Sequence, residues 1–521
     1  MKNLILIALS SLLLITCCPT KQACDDSEKV LKIKVFQLND VYEIDGIEHG
    51  NYGNLARVAT LINQAKADTS NARVISVLSG DFLSPSIYNT LGYPGGTPKI
   101  DDKVNGRQMI ETFNSMGLDY VAFGNHEFDL KSVTAIQNRI LESEFTWLNA
   151  NLRYRAADST IQSFKVTANG KAADMPGWTT DTIRYKGQQI LMGLTGLTLD
   201  FNGKPDYLIY EDHIAAGRKA MKALRGTDIQ LAITHLSKEE DIDFARSVKG
   251  MEAIFGGHEH VNYALHANGT PVYKADANAR TIYVHDLLWH PRCQKLEIIS
   301  HLLEVTPEIE KDPKVAAVIG RWTTHQDTSL INMGYQPYDT IFYTQTPLDA
   351  TEEGIRHQQT NMGRIITDAT RGYAPGADAA IINSGSIRLD SYLSGYINEL
   401  DILKTLPYGG TVVMTRMPGE TLLMALTTSE TQNQAKGSYL QYSGDISNDP
   451  AKGWLLNGQA IKADSTYQIA STYYLMKYGD DNLQFLTDVP WESLPDANAQ
   501  GLKNDLRDIT IASMKAEYQK P

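Results

Sequence analysis

Six residues of this chain can ligate a cation, and each directly follows a short apolar run. Asp40 closes IKVFQLND, Asp81 closes VISVLSGD, Asn125 follows YVAFG, His235 closes IQLAITH, and His258 and His260 end MEAIFGGHEH. The donors are carboxylate, amide and imidazole, with no thiolate. Such a set suits Zn²⁺, Mn²⁺ or Mg²⁺ rather than a closed cysteine-type structural zinc site. Six protein ligands are too many for one catalytic ion that must keep open positions. They fit two divalent ions, with one carboxylate bridging. Two-metal sites hold their ions about 3.5–4 Å apart and clamp the attacking and leaving oxygens of a phosphoryl transfer. Two divalent cations against two aspartates leave a net positive site, which attracts a phosphate although the chain carries a net charge of −13.

The segment YVAFGNHEFDL adds two further groups. With Asn125 on a metal, His126 can face the substrate and stabilise charge on the phosphate or the leaving oxygen. Asp129 can hold the His126 ring in one tautomer and raise its basicity. Singly, each motif has a plainer reading: Asn125 and His126 close a turn, Asp81 after Gly80 caps a helix, and one histidine of GGHEH is solvated. Five strand ends carrying matched ligands within one half of the chain argue against coincidence.

The apolar runs are rich in β-branched and aromatic residues and read as strands. Helical patterns such as GNLARVATLINQAKAD and GRQMIETFNSMG lie between them. This alternation predicts an α/β layered fold, in which ligands bind beyond the carboxyl ends of the strands. A length of 521 residues exceeds one hydrophobic core and predicts at least two domains. IGRWTTHQDTSLINMG reads as a helical connector. From about Tyr338, helical patterns (GETLLMALTTSE) mix with short strands (TVVMTRM, TYQIASTYYL), which predicts a second α/β domain. The acidic balance argues against a nucleic-acid polymer as partner, since phosphate contacts need clustered Lys and Arg.

The N-terminus reads as an export signal. Lys2 precedes the apolar run Leu4 to Ile15, which is too short to span a bilayer. LLLITCC then resembles a bacterial lipobox, with Cys17 ahead of Cys18 as the residue to be acylated; a plain secretory signal is the alternative. A periplasmic or cell-surface lipoprotein follows, touching the membrane only through that anchor. Besides an anchor cysteine, Cys24 and Cys293 remain, so the fold is no disulfide scaffold.

The ordered set LND, SGD, GNHEFD, THL and GGHEH resembles the calcineurin-like metallophosphoesterases, and most of all the 5′-nucleotidase family with its UDP-sugar hydrolases and ecto-5′-nucleotidases. The resemblance covers nearly all of the chain after residue 28. It implies a four-layer α/β/β/α catalytic domain over residues 29–318, a connector helix at 319–338 and a nucleotide-binding α/β domain at 339–521. It implies that Asp40 and His260 serve one metal, that Asp81 bridges, that Asn125, His235 and His258 serve the other, and that His126 and Asp129 form a catalytic dyad. The family usually has a histidine two residues after the first aspartate; here that position is Tyr42, a neutral phenol that predicts a weaker first metal. RHQQTNMGRIITDA and INSGSIRLD carry Arg356, Asn383 and Arg388 onto nucleotide-contacting positions, and LPYGG carries Tyr408 onto a base-stacking one. In YGDDNLQF, Leu483 stands where a second stacking aromatic is usual, which predicts weaker base recognition. The implied activity is release of phosphate from nucleoside 5′-monophosphates by a metal-bound hydroxide. Cleavage of 2′,3′-cyclic nucleotides or UDP-sugars is the runner-up, and a catalytically weak nucleotide-binding surface protein is the alternative of another class.

Overall fold

The computed structural model of this chain describes residues 30–93, 101–168 and 170–519. The apolar run at the N-terminus, with Cys17, Cys18 and Cys24, lies outside them. Among the described residues no helix is long and apolar enough to cross a membrane.

The first half is a sandwich of two six-stranded sheets. In one, the order is Lys295–Glu304, Thr281–His290, Leu31–Leu38, Asn71–Ser79, Tyr120–Ala122 and Thr146–Leu148. In the other it is Tyr263–Ala267, Thr270–Lys274, Ala253–Gly256, Ile229–His235, Gln188–Thr198 and Trp178–Tyr185. The inner faces meet through Ile33, Val35, Ile75 and Val77 on one side and Met192, Leu194, Leu231 and Ile233 on the other, all buried. Because strand side chains alternate in direction, the other residues of the same strands face outward and are covered by helices. Leu55–Ala67, Arg107–Met116 and Val133–Glu142 cover the first sheet, and His213–Ala223 and Lys238–Ser247 cover the second. The result is the four-layer α/β/β/α arrangement. Leu31–Leu38, Asn71–Ser79 and Tyr120–Ala122 are parallel neighbours, as are Ile229–His235 and Ala253–Gly256, so their carboxyl ends open on one edge.

The second half holds a five-stranded sheet ordered Leu440–Tyr442, Ala379–Asn383, Thr466–Thr472, Val412–Pro418 and Trp491–Ser493, with helices packed on it. Between the halves runs the helix Pro313–Asn332. It starts six residues before the expected connector, because Asp312 caps it by accepting from Val315 N and Pro313 occupies its first turn. Its buried Val315, Ile319 and Trp322 join the core of the first half. The helix is thus docked, and the chain turns only beyond Asn332, at Gly334 with φ 100°.

One buried group makes this sandwich acid-sensitive. The His285 ring stacks on Phe255 and Tyr283, with centroids 4.7 and 5.4 Å away. Its nitrogens meet Ser300 Oγ at 2.7 Å and Gln37 Oε1 at 3.1 Å. Burial pushes its pKa down to about 3, so the folded chain holds it neutral while the unfolded chain protonates it below about 6.5. Its stabilising contribution is therefore complete above that value and is lost as pH falls toward 3. Between pH 7 and 5 this costs about 2 kcal/mol. His285→Gln is expected to flatten the fall in urea midpoint over that range; an unchanged slope would refute the assignment.

Candidate active site

The strand ends deliver their polar residues through strained loops. Asp40, Asp81 and His258 have φ of 51°, 55° and 88°, a left-handed region that non-glycine residues enter at a cost of order 1–3 kcal/mol. The neighbouring glycines make the close approach possible. A Cβ on Gly124 would lie 2.0 Å from Asp81 Oδ1, and one on Gly257 would lie 2.2 Å from Ser79 O. Glu127, wholly buried, secures the Asp81 loop by accepting from the backbone N–H groups of Asp81, Phe82, Leu83 and Gly124 at 2.6–3.2 Å.

These loops bring the expected ligands together. One donor atom from each of Asp40, Asp81 and His235 lies within 4.8 Å of the others. His235 Nδ1 gives its hydrogen to Ser79 O at 2.7 Å, which leaves Nε2 facing Asp81 Oδ2 and Asn125 Oδ1, both at 3.2 Å. His260 Nε2 approaches Asp40 Oδ1 at 3.6 Å. The His258 ring packs edge-on against His235, with centroids 5.3 Å apart, and its backbone N donates to Asp40 Oδ2 at 3.0 Å. Burial, reinforced by His235, keeps the His258 ring neutral.

The residues fit divalent cations. Asp40 Oδ1 is buried without a hydrogen-bond partner although it faces both His235 and His260. Burial opposes charge on these two rings, yet the carboxylates outweigh it. Asp81 and Asp40 raise the pKa of His235 to about 10, and Glu352 and Asp390 raise that of His260 to about 9. A pocket that draws protons onto buried imidazoles has the negative potential a cation seeks. Tyr42 stands between the two sides, its hydroxyl 3.2 Å from Asp81 Oδ2 and 3.1 Å from His260 Nε2. Burial and the neighbouring carboxylates hold the phenol neutral, so it offers a hydrogen bond rather than an anionic ligand. Tyr42→His is expected to tighten the weaker of two Mn²⁺ steps at least tenfold in a calorimetric titration, and equal affinities before and after would contradict that role.

The second half reaches into this centre. His126 Nδ1 meets Asp129 Oδ2 at 2.8 Å, while Arg388 Nη2 donates to His126 Nε2 at 3.0 Å. Asp129 also accepts from Tyr408 Oη at 2.9 Å and Ser84 Oγ at 3.3 Å. Burial is opposed by the adjacent His126, which keeps the Asp129 carboxyl below the usual range. Arg356 pairs with Glu352 at 2.7 Å, while its buried Nε has no hydrogen-bond partner. Asn383 is occupied at both ends, donating to Asp480 Oδ2 at 3.0 Å and accepting from Ser386 Oγ at 2.9 Å. Lys404 joins Glu43 and Asp45 across the halves, at 2.7 and 3.2 Å.

Leu483 departs from expectation. It is fully buried among Leu475, Met476 and Leu486 and shows no surface to the cleft. At the turn Asn482, with φ 60°, the amide donates to Asn433 Oδ1 at 2.8 Å, and the leucine that follows packs into the core. Sequence reasoning also passed over Glu352, Asp390 and the anchoring role of Glu127. Spacing carried a signal for two of them: Glu352 lies one helical turn before Arg356, and Glu127 sits inside the GNHE motif.

Residues 33–262 match the calcineurin-like phosphoesterase family, so the first half is a metallophosphoesterase domain. Residues 340–488 match the 5′-nucleotidase C-terminal domain. Together these matches span most of the chain, which belongs to the 5′-nucleotidase family of phosphoric ester hydrolases. It is 24% identical over 519 residues to a 5′-nucleotidase of Vibrio vulnificus, covering 89% of this chain and 87% of that one. It is likewise 24% identical to the trifunctional nucleotide phosphoesterase YfkN of Bacillus subtilis, covering 83% of this chain but 31% of that longer protein. In fold it is similar to a 5′-nucleotidase precursor from Thermus thermophilus, with a TM-score of 0.70, 18% identity, and coverage of 94% and 97% of the two chains.

Proposed function

We propose that this protein is an exported, metal-dependent phosphohydrolase that releases phosphate from nucleoside 5′-monophosphates. One observation carries the reading: His126 lies between Asp129 at 2.8 Å and Arg388 at 3.0 Å, beside the buried Asp40, Asp81 and His235 cluster. Asp40, Asp81, Asn125, His235, His258 and His260 would hold two divalent ions of the Zn²⁺, Mn²⁺ or Mg²⁺ kind. When bound, such ions polarise the phosphoryl group and lower the pKa of water. Before substrate binds, Nε2 of His126 accepts from Arg388. Once Arg388 turns to the phosphate, Nε2 takes up a proton from water and gives it to the ester oxygen as the P–O bond breaks, while Asp129 holds the Nδ1–H. Arg388, aimed at the same Nε2, is placed to donate to the phosphate oxygens. Arg356, with its unpartnered Nε, adds positive charge behind it. Tyr408, about half exposed beside Asp129, is placed to meet the nucleoside. The second half thus completes the phosphate site and also selects the substrate. Export is supported by the N-terminal apolar run from Leu4 to Ile15, which has the length of a signal peptide.

The test is phosphate release from AMP by the full chain with added Mn²⁺ or Zn²⁺. Turnover of 2′,3′-cyclic AMP or UDP-glucose without turnover of AMP would favour the diester or pyrophosphate reading. Nucleotide binding without any turnover would establish a binding protein instead. Because Arg388 meets His126 itself, Arg388→Ala is expected to lower kcat/KM at least tenfold on AMP and on p-nitrophenyl phosphate alike. A loss confined to AMP would move Arg388 away from the phosphate and onto the nucleoside.

A further inference from the structure

The turn that carries Arg388 ends in Asp390, whose φ of 50° is left-handed for a residue with a side chain. Its two oxygens have different partners. Oδ1 accepts from Glu352 N at 2.7 Å, which ties the turn to the helix Glu352–His357. Oδ2 crosses to the other half of the molecule and meets His260 Nδ1 at 2.9 Å. Glu352 Oε2 stands behind it, 3.4 Å from the same nitrogen. The other nitrogen of that imidazole, Nε2, meets Tyr42 Oη at 3.1 Å and lies 3.6 Å from the unpartnered Asp40 Oδ1.

A histidine that gives its Nδ1 hydrogen to a carboxylate is fixed in the tautomer that leaves Nε2 free for a cation. For His235 that partner is Ser79 O, within the same half. For His260 the closest is Asp390, in the other half. The same short turn therefore sets Arg388 against His126 and Asp390 against His260. Withdrawing the second half would remove both contacts at once.

We propose that Asp390 is a positioning residue that orients His260 toward a divalent cation only while the two halves face each other, so that the cation on the His260 side and a phosphate-bearing ligand in the cleft strengthen one another's binding. This rests on the phosphohydrolase reading above. The coupling is reciprocal, because both ligands favour the same closed arrangement. It also bears on Tyr42. On the side where the phenol supplies no strong ligand, the carboxylate behind His260 compensates, and it comes from the substrate-binding half.

The test measures binding on the full chain. Mn²⁺ is titrated calorimetrically, alone and with a saturating methylene-phosphonate analogue of AMP. The analogue is expected to tighten the weaker Mn²⁺ step by at least about 5-fold. Asp390→Asn, whose side chain tolerates the left-handed backbone, is expected to weaken that step by roughly 10–100-fold. It should also abolish the tightening and leave the stronger step unchanged. In the metal-free chain, the same variant should shift the His260 Nδ1–H proton resonance, which a role confined to the turn would not move. Unaltered Mn²⁺ steps and tightening in Asp390→Asn would overturn the proposal alone. Absence of any Mn²⁺ binding to the native chain would overturn it together with the metal-dependent reading on which it rests.

Discussion

Replacing His126 by alanine is expected to lower kcat on AMP by roughly 10²–10⁴-fold, the usual contribution of a positioned acid–base group, with little change in metal content. The separation of the two effects follows from geometry. The His126 ring contacts Asp129 and Arg388, whereas the Asp81 carboxylate is met by the His126 backbone N–H at 2.8 Å, which alanine retains. The backbone conformation of the loop is held from elsewhere, by Glu127. Elemental analysis and steady-state kinetics on the same preparation check both halves of the expectation. Full activity of His126→Ala on AMP would remove the dyad from the mechanism.

Asp81→Ala should behave in the opposite way, losing metal and activity together, with turnover falling to background. Asp81 meets groups on both sides of the centre. Oδ2 lies 3.2 Å from both His235 Nε2 and Tyr42 Oη, and Oδ1 takes the His126 N–H. Removing it strips a ligand from both sides of the site. The loop itself should survive, because Glu127 accepts the backbone N–H groups of Asp81, Phe82 and Leu83 whatever side chain follows Gly80. An unchanged far-ultraviolet circular dichroism spectrum with lost metal would therefore identify ligand removal rather than unfolding. Retention of two ions per chain in Asp81→Ala would show that Asp81 is not shared.

The two experiments divide the centre along the line the fold draws. Strand ends of the first half supply the proposed cation ligands and His126, and the second half supplies the charged groups that face them. A cleft closed by Arg388, Asp390, Tyr408 and Lys404 must open to exchange substrate and product, and such steps often limit turnover.

Much of this could be read before folding was considered. A parallel strand buried on both faces is a run of apolar residues, and a site at its carboxyl end must appear at once afterwards as a polar residue. Asp40, Asp81, Asn125, His235, His258 and His260 carry that signal within a few residues each, and so do His126 and Asp129. The layered fold follows from the same local alternation. Other features had no local signal. Asp390 is an ordinary acidic residue in sequence; its meaning lies in a contact with His260 across 130 positions of chain. Arg388 looked like a nucleotide contact, and only packing set it against His126. Leu483 looked like part of a ligand surface until one turn of positive φ sent it into the core. Strand patterns reflect burial, which each residue experiences through its own neighbours in the chain. The pairing of charges across a cleft depends on where two separately folded halves come to rest, and no local pattern encodes that.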